Sequence, residues 1–435
     1  MTRRGAPAMS VAPAVSLRGD VRVPGDKSIS HRAVMFAAIA DGESEIRGFG
    51  RSDDTLSTAR AMRAVGAEIE DGGEVIRVRG RGLRGLSAPE LPIDCGNAGT
   101  LIRLLAGILA GQEGEFELAG DESLSRRPLE RIATPLRRMG AQVETTDGHA
   151  PMRIRGGVLE PVSYESPVAS AQVKSCVLLA GLHASAGPTT VFEPAPSRDH
   201  TERMLKACGA RVEWRTRRAS VWPCERLLPL KIEVPGDFSS AAPFLAAAAV
   251  LPGSELRLHG VGVNPTRIGF LGVLERMGAR ISIYNRRTAG GEPVADLEIG
   301  SSELVATEIT PDEVPTIIDE LPLFALCAAQ ARGVSSVRGA QELRVKESDR
   351  IESVTTALRA IGVRIADAYD GFRVRGVPTR PQGGGAVDAG GDHRIAMLGG
   401  VAGLVSREPV EVVDADCVAV SFPGFFDVLE GLSVR

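Results

Sequence analysis

With 435 residues, of which 43% are hydrophobic and 24% charged, the chain has core material for two or three domains. A formal charge of −4 argues against a long polyanion such as DNA, so any basic groups that matter are clustered and the substrate is small. Cys95, Cys176, Cys208, Cys224, Cys327 and Cys417 form no CxxC pair and mostly lie in apolar runs, which argues against a disulfide frame or zinc site and for a reducing, cytoplasmic compartment.

Along the chain, no stretch of about 18 apolar residues runs unbroken, so no membrane span is expected. The first twenty residues lack an apolar run of signal-peptide quality, and residues 1 to about 12 read as a loose tail. VSLRGDVRV (15–23) then reads as a strand that pairs with the C-terminal part of the chain. VPGDKSISHRAVMFAAIA (23–40) follows as a buried helix capped by Asp26. Five further alanine-rich helices are expected in NAGTLIRLLAGILAG (97–111), SAQVKSCVLLAGLHA (170–184), VPGDFSSAAPFLAAAAV (234–250), DELPLFALCAAQARG (319–333) and GDHRIAMLGGVAGLV (391–405). Each is followed by a strand and an amphipathic helix, and five of those helices run into Gly66, Gly140, Gly209, Gly278 or Gly362, the residue suited to the left-handed position past a helix end. The sixth is cut short at FPGFFDVLEGL.

The spacing of the alanine-rich helices is about 70 residues, the mark of an internal repeat. VPGDKS and VPGDFS start 211 residues apart, at 23 and 234. Six units therefore divide into two lobes of three, one from residues 1–23 plus 236–435 and the other from 24–235. The chain crosses twice between them, which makes a hinge that a polyanionic ligand is expected to close.

The first alanine-rich helix begins with an unusual set of donors. Asp26 as N-cap places Lys27 and Ser28 at the helix start, with Arg32 one turn past Ser28, so backbone N–H groups, a hydroxyl and two cations point one way. One such start reads equally well as a solvated helix end. Its recurrence, as Asn97, Gly99, Thr100 and Arg103, as Ser170, Gln172 and Lys174, and as Asp392, His393 and Arg394, favours an anion site. GDKS is no P-loop, because Asp26 precedes the lysine and the spaced glycine is missing. Further cations lie in SRRPL (Arg126, Arg127), PSRDH (Arg198) and ELRVKESDR (342–350), where Lys346 and Arg350 are expected on one helical face and Glu347 a quarter-turn round. Asp319, at the opening of an alanine-rich helix, is a candidate general base and Glu347 a candidate acid. These residues describe an enzyme that clamps a small polyanion and moves protons.

PGDKSISHRA, GNAGTLIRLLAG, GDESLSRRPLERI, SAQVKSCVLLAGL, SRDHTERML, IIDELPLFALCAA, LRVKESDRI, GDHRIAML and SFPGFF, in that order, resemble the 5-enolpyruvylshikimate-3-phosphate (EPSP) synthase family almost end to end. The resemblance implies an α/β (α+β) fold of six βαβαββ units, three per lobe about a pseudo-threefold axis. It also implies enolpyruvyl transfer from phosphoenolpyruvate to shikimate 3-phosphate by a monomer, without metal or organic cofactor, in the pathway that glyphosate blocks. It assigns Lys27 to both substrates, and Ser28, Arg32, Ser170, Gln172, Arg198, Asp319 and Lys346 to shikimate 3-phosphate, with Arg198 near its phosphate. Gly99, Arg127, Gln172, Arg350 and Arg394 match the phosphoenolpyruvate site, with Asp319 as proton acceptor and Glu347 handling the methyl protons.

The chain departs from some members at Val420, where they carry lysine, at Glu342, where they carry asparagine, and at Ala171, where they carry a second serine. Gly99 stands where a member of low glyphosate sensitivity has alanine. The sister family, which uses UDP-N-acetylglucosamine as acceptor, typically has a KNAALP-type first helix and a loop cysteine that GDESLSRRP lacks. A non-catalytic repeat scaffold would have no reason to gather Asp319, Lys346, Glu347 and Arg350.

Overall fold

The computed structural model describes residues 8–435. The chain divides into two compact units: a terminal unit formed by the chain up to Pro24, Gly236–Arg287 and Pro293–Arg435, and a central unit formed by Gly25–Pro235 with Thr288–Glu292. The chain passes between them beside the two PGD turns. Residues 288–292, expected with the rest of the C-terminal stretch, belong to the central unit; they lie at the turn between the strands Arg280–Ala289 and Glu292–Gly300.

In the central unit the helices are α1 (Lys27–Ala38), α2 (Asp53–Ala64), α3 (Gly99–Leu109), α4 (Glu130–Arg138), α5 (Ala171–Gly181) and α6 (His200–Ala207). The terminal unit has α7 (Phe238–Val250), α8 (Gly269–Arg276), α9 (Val314–Ile317), α10 (Leu321–Gln330), α11 (Arg350–Ala360), α12 (His393–Val405) and α13 (Phe425–Gly431). Three four-stranded sheets of the central unit share one topology. In one, Ser163–Glu165 runs parallel to Thr189–Phe192, which is antiparallel to Arg218–Val221, which in turn pairs antiparallel with Val212–Arg215. With α5 and α6 in the two crossovers this is a βαβαββ unit.

Composition explains which helix goes where. α1, α3 and α5 are buried over nearly their whole length, and Ala and Gly let them pack closely against one another. α4, with Arg137 and Arg138 in its last turn, keeps only Ile132, Ala133, Pro135 and Leu136 buried. Each unit has its own continuous apolar core. The helix ends follow the sequence: Asp26 Oδ1 accepts from Ile29 N at 2.8 Å, Asp237 Oδ1 accepts from Ser239 N at 2.7 Å, and Gly66, Gly140, Gly209, Gly278 and Gly362 all have positive φ.

One expectation is corrected here. Ala8–Val11, assigned above to a loose tail, is a strand that pairs antiparallel with Val410–Val413. It satisfies the backbone groups on one side of that strand, while Ala386–Asp388 pairs in parallel on the other. The part of the tail at residues 1–7 lies outside the described residues. VSLRGDVRV does pair within the terminal unit, Arg18–Val21 lying parallel to Glu255–Leu258.

One close helix contact is at Gly107 of α3, where a Cβ would stand 2.2 Å from the Cys176 carbonyl oxygen of α5. Backbone cannot yield that distance cheaply. Gly107→Ala should therefore destabilise the protein by about 1–3 kcal/mol, the usual cost of overpacking, although alanine is the better helix former. Chemical denaturation checks this, and an unchanged or raised midpoint would contradict the packing.

Candidate active site

In the central unit the first two turns of α1, α3 and α5 carry several groups of hydrogen-bonded polar side chains. Arg32, 2% exposed, donates from Nε to Thr201 Oγ1 at 2.8 Å, from Nη1 to the Ser28 carbonyl at 2.9 Å and from Nη2 to Ser175 Oγ at 3.0 Å. These hydrogen-bond partners are all neutral. Burial, with the like charge of Arg198 adding to it, lowers Arg32 to about 10 against the pull of Glu202, Asp26 and Glu292. His31 lies in the same field: burial first, then Lys27 and Arg32, push its pKa well below the usual value, so it is neutral, with Nδ1 sharing a hydrogen bond of 2.6 Å with Thr58 Oγ1. Lys27 Nζ reaches Asp54 Oδ2 at 2.8 Å.

Gln172 is gripped from α3. Its Oε1 accepts from Arg103 Nη1 at 2.6 Å, and its Nε2 donates to Thr100 Oγ1 at 3.0 Å. Ser170 caps α5, accepting from Val173 N at 3.4 Å. Arg127 follows the short 3-10 turn Leu124–Arg126 and donates to Asn97 Oδ1, whose Nδ2 bonds Asp121 Oδ2 at 2.8 Å. Gly99 touches this group closely, since a Cβ there would stand 2.9 Å from Arg103 Nη1 and 3.0 Å from Arg127 Nη1. Arg198 is half-buried in the segment leading to α6, and Ser28 is half-buried at the start of α1.

The terminal unit gathers Asp319, Lys346, Glu347 and Arg350. Arg350, 1% exposed, donates from Nε to Asp392 Oδ2 at 2.8 Å, from Nη1 to Asp319 Oδ1 at 3.1 Å and from Nη2 to Glu347 Oε2 at 2.7 Å. Burial disfavours its charge, but the three carboxylates outweigh burial and raise its pKa above the ordinary arginine value. Asp392 also accepts from Ser348 Oγ at 2.9 Å and caps α12 through Arg394 N at 2.9 Å. Lys346 is lowered from its ordinary value by burial and by Arg350, with Asp319 pulling the other way.

Behind this cage lies a second one. Arg267 Nη1 bonds both oxygens of fully buried Glu320, at 3.1 and 3.3 Å, and Nη2 bonds Ser239 Oγ. The Ser239 carbonyl accepts from Arg394 Nη1 at 3.2 Å. Arg267 thereby fixes Glu320, the residue after Asp319, and the Ser239 carbonyl holds Arg394.

Two local expectations change. Asp319 does not open the alanine-rich helix: it lies in the turn between α9 and α10, and Glu320 is the N-cap. Lys346 and Arg350 do not share a helical face, because Gln341–Val345 is a 3-10 turn, Lys346 is extended, and Asp349 caps α11 by accepting from Ile351 N and Glu352 N at 3.1 Å. A strong cap three residues past Lys346 sets the helix start. The residues that sequence reasoning missed are Asp54, Ser175, Thr201, Arg267 and Glu320. Thr201 sits beside the quoted SRDH motif and Arg267 in NPTR, but only the fold shows what they touch.

The six-unit repeat that carries these two clusters has the fold of the enolpyruvyl transferases. The fold matches the enolpyruvyl transferase NikO of Streptomyces tendae with a TM-score of 0.80 at 22% identity, covering 98% of each chain. Residues 11–429 match the family model for EPSP synthase (3-phosphoshikimate 1-carboxyvinyltransferase), and the chain belongs to that family. It is 49% identical over 428 residues to the 3-phosphoshikimate 1-carboxyvinyltransferase of Citrifermentans bemidjiense, covering 98% of this chain and 99% of that one. With the Bacillus licheniformis protein of the same name it shares 46% over 422 residues, 97% of this chain and 98% of that one. A solved structure of the EPSP synthase from Acinetobacter baumannii superposes with a TM-score of 0.87 at 42% identity, covering 98% of each chain.

Because Arg350 is the counter-charge for Asp392, Asp319 and Glu347 together, Arg350→Met should cost about 3–5 kcal/mol of stability, the penalty for stranding buried charge. Denaturant unfolding measures it. A loss below about 1 kcal/mol would mean that the cage contributes no more than a surface pair.

Proposed function

We propose that the chain transfers the enolpyruvyl group of phosphoenolpyruvate to the 5-hydroxyl of shikimate 3-phosphate, in the cytoplasm, on the route to aromatic amino acids. The observation that carries the residue assignment is the Arg350 cage, which holds Asp319 and Glu347 on one guanidinium. Six free cysteines support a reducing compartment.

In this reading Arg32, Arg198, Ser28, Ser170, Gln172 and Lys346 bind shikimate 3-phosphate. Lys27, Gly99, Arg127, Gln172, Arg350 and Arg394 receive the carboxylate and phosphate of phosphoenolpyruvate, with Lys27 serving both substrates. Guanidinium groups suit both anions because they offer paired donors in a fixed fork. Asp319 takes the proton of the 5-hydroxyl as its oxygen attacks C2 of phosphoenolpyruvate, and Glu347 gives a proton to C3, which becomes a methyl group. The product of this addition is a tetrahedral ketal. Elimination reverses the second transfer: Glu347 takes a methyl proton, the double bond forms again and phosphate leaves. An incoming substrate carboxylate that takes over Arg350 donors frees Glu347 to hold the proton it must deliver.

General acid–base groups contribute about a hundredfold or more to turnover. Asp319→Asn and Glu347→Gln should each lower kcat by about that factor while shikimate 3-phosphate still binds, because the acceptor's cations are untouched. Near-normal turnover in both variants would remove the two residues from proton transfer.

A further inference from the structure

The central unit contains a buried charge that the reaction above does not use. Lys174, on the second turn of α5, is 4% exposed, and its ammonium lies 3.0 Å from Glu193 Oε2 and 2.9 Å from Glu202 Oε1. It also donates to the Ser197 carbonyl at 3.3 Å. Glu193 and Glu202 are 7% and 1% exposed, so three ionisable side chains share one buried spot. Burial works against the lysine's charge, but the carboxylates outweigh it and keep the ammonium protonated.

The three contacts have one geometric meaning. Glu193 and Glu202 are the two ends of the segment EPAPSRDHTE, and Ser197 is near its middle, next to Arg198. One ammonium therefore closes this ten-residue segment at both ends and pins its centre to α5, the helix whose first turn carries Ser170 and Gln172. A second tie runs beside it, since Ser175 Oγ shares a hydrogen bond of 2.6 Å with Thr201 Oγ1 and both take Arg32 as donor. Apolar side chains of equal volume would fill such a spot at no greater cost in stability, because desolvating three charges consumes most of their attraction. What the ions add is a fixed register between the helix and the loop.

We propose that Lys174 is a positioning residue for the phosphate of the acceptor: by tying Glu193, Ser197 and Glu202 to α5, it holds Arg198 where the acceptor's phosphate is bound. The inference rests on the assignment of Arg198 to that phosphate. A loop released from the clamp must be ordered by the ligand at the ligand's expense. The loss falls on the phosphorylated acceptor, since the phosphate is the group assigned to Arg198.

Calorimetric titration of the full-length protein with shikimate 3-phosphate and with unphosphorylated shikimate tests this, in the wild type, Lys174→Met and Glu193→Gln. Lys174→Met should weaken shikimate 3-phosphate by about tenfold or more and shikimate by no more than about twofold, so that the preference for the phosphate collapses. KM for shikimate 3-phosphate should rise while kcat at saturation stays near that of the wild type. Glu193→Gln keeps the shape and one carboxylate, should move the preference in the same direction by less, and decides the question if Lys174→Met does not fold. A lowered melting temperature with the ratio of the two affinities unchanged in the folded variants would make the clamp merely structural and overturn the proposal. Failure of the wild type to bind shikimate 3-phosphate at all would overturn the acceptor assignment and the clamp's role together.

Discussion

Helices buried on every side can meet polar chemistry only at their ends. α1, α3 and α5 in the central unit, and α7, α10 and α12 in the terminal unit, are apolar nearly all round, so their first turns carry the hydrogen-bonding groups that their flanks cannot. Close packing then brings those first turns together. In their first two turns Arg32 of α1 touches Ser175 of α5 and Arg103 of α3 touches Gln172 of α5, while Arg350, which opens the amphipathic α11, touches Asp392 at the start of α12. The positive ends of several macrodipoles and several cations accumulate in each unit, and such a place needs anions.

The two units answer that need differently. In the terminal unit the protein supplies the anions itself: Asp319, Glu347 and Asp392 surround Arg350, and Glu320 meets Arg267. Buried ion clusters of this kind add little net stability, but breaking one is costly, so they fix side chains in place more than they strengthen the fold. A carboxylate fixed this way can be aimed at a reacting atom. In the central unit Arg32 donates to two hydroxyls and a carbonyl, and carboxylates act on it without those hydrogen bonds, Glu202 most strongly. Lys174 shows the structural use of charge in the same unit, spent within the protein to hold a loop.

Much of this was legible in the sequence. The 211-residue offset of the two PGD helices revealed the repeat, and each glycine past an amphipathic helix has the positive φ expected of it. Of the proposed site, the placement of Lys27, Ser28, Arg32, Ser170, Gln172 and Arg394 near helix starts could be read because helix starts have sequence signatures. Asp319 and Lys346 were placed on helices that begin one or more residues later, because a 3-10 turn or a nearby cap shifts a boundary without changing the local pattern. Thr201, Ser175, Arg267 and Glu320 were invisible. Each acts through a contact between residues at least 26 positions apart, which no local period reports. The strand at Ala8–Val11 was lost for the same reason, since its partner is Val410–Val413.

The central claim is that these cations and hydroxyls suit a compact phosphorylated ring as acceptor. The direct measurement is phosphate release from phosphoenolpyruvate by the purified protein, offered either shikimate 3-phosphate or UDP-N-acetylglucosamine. Buried polar groups reject a ligand that leaves them unpaired, by factors of about ten thousand in favourable cases, so release should occur with shikimate 3-phosphate and stay at background with the nucleotide sugar. Release with the nucleotide sugar alone, or with neither acceptor in folded protein, would contradict the account.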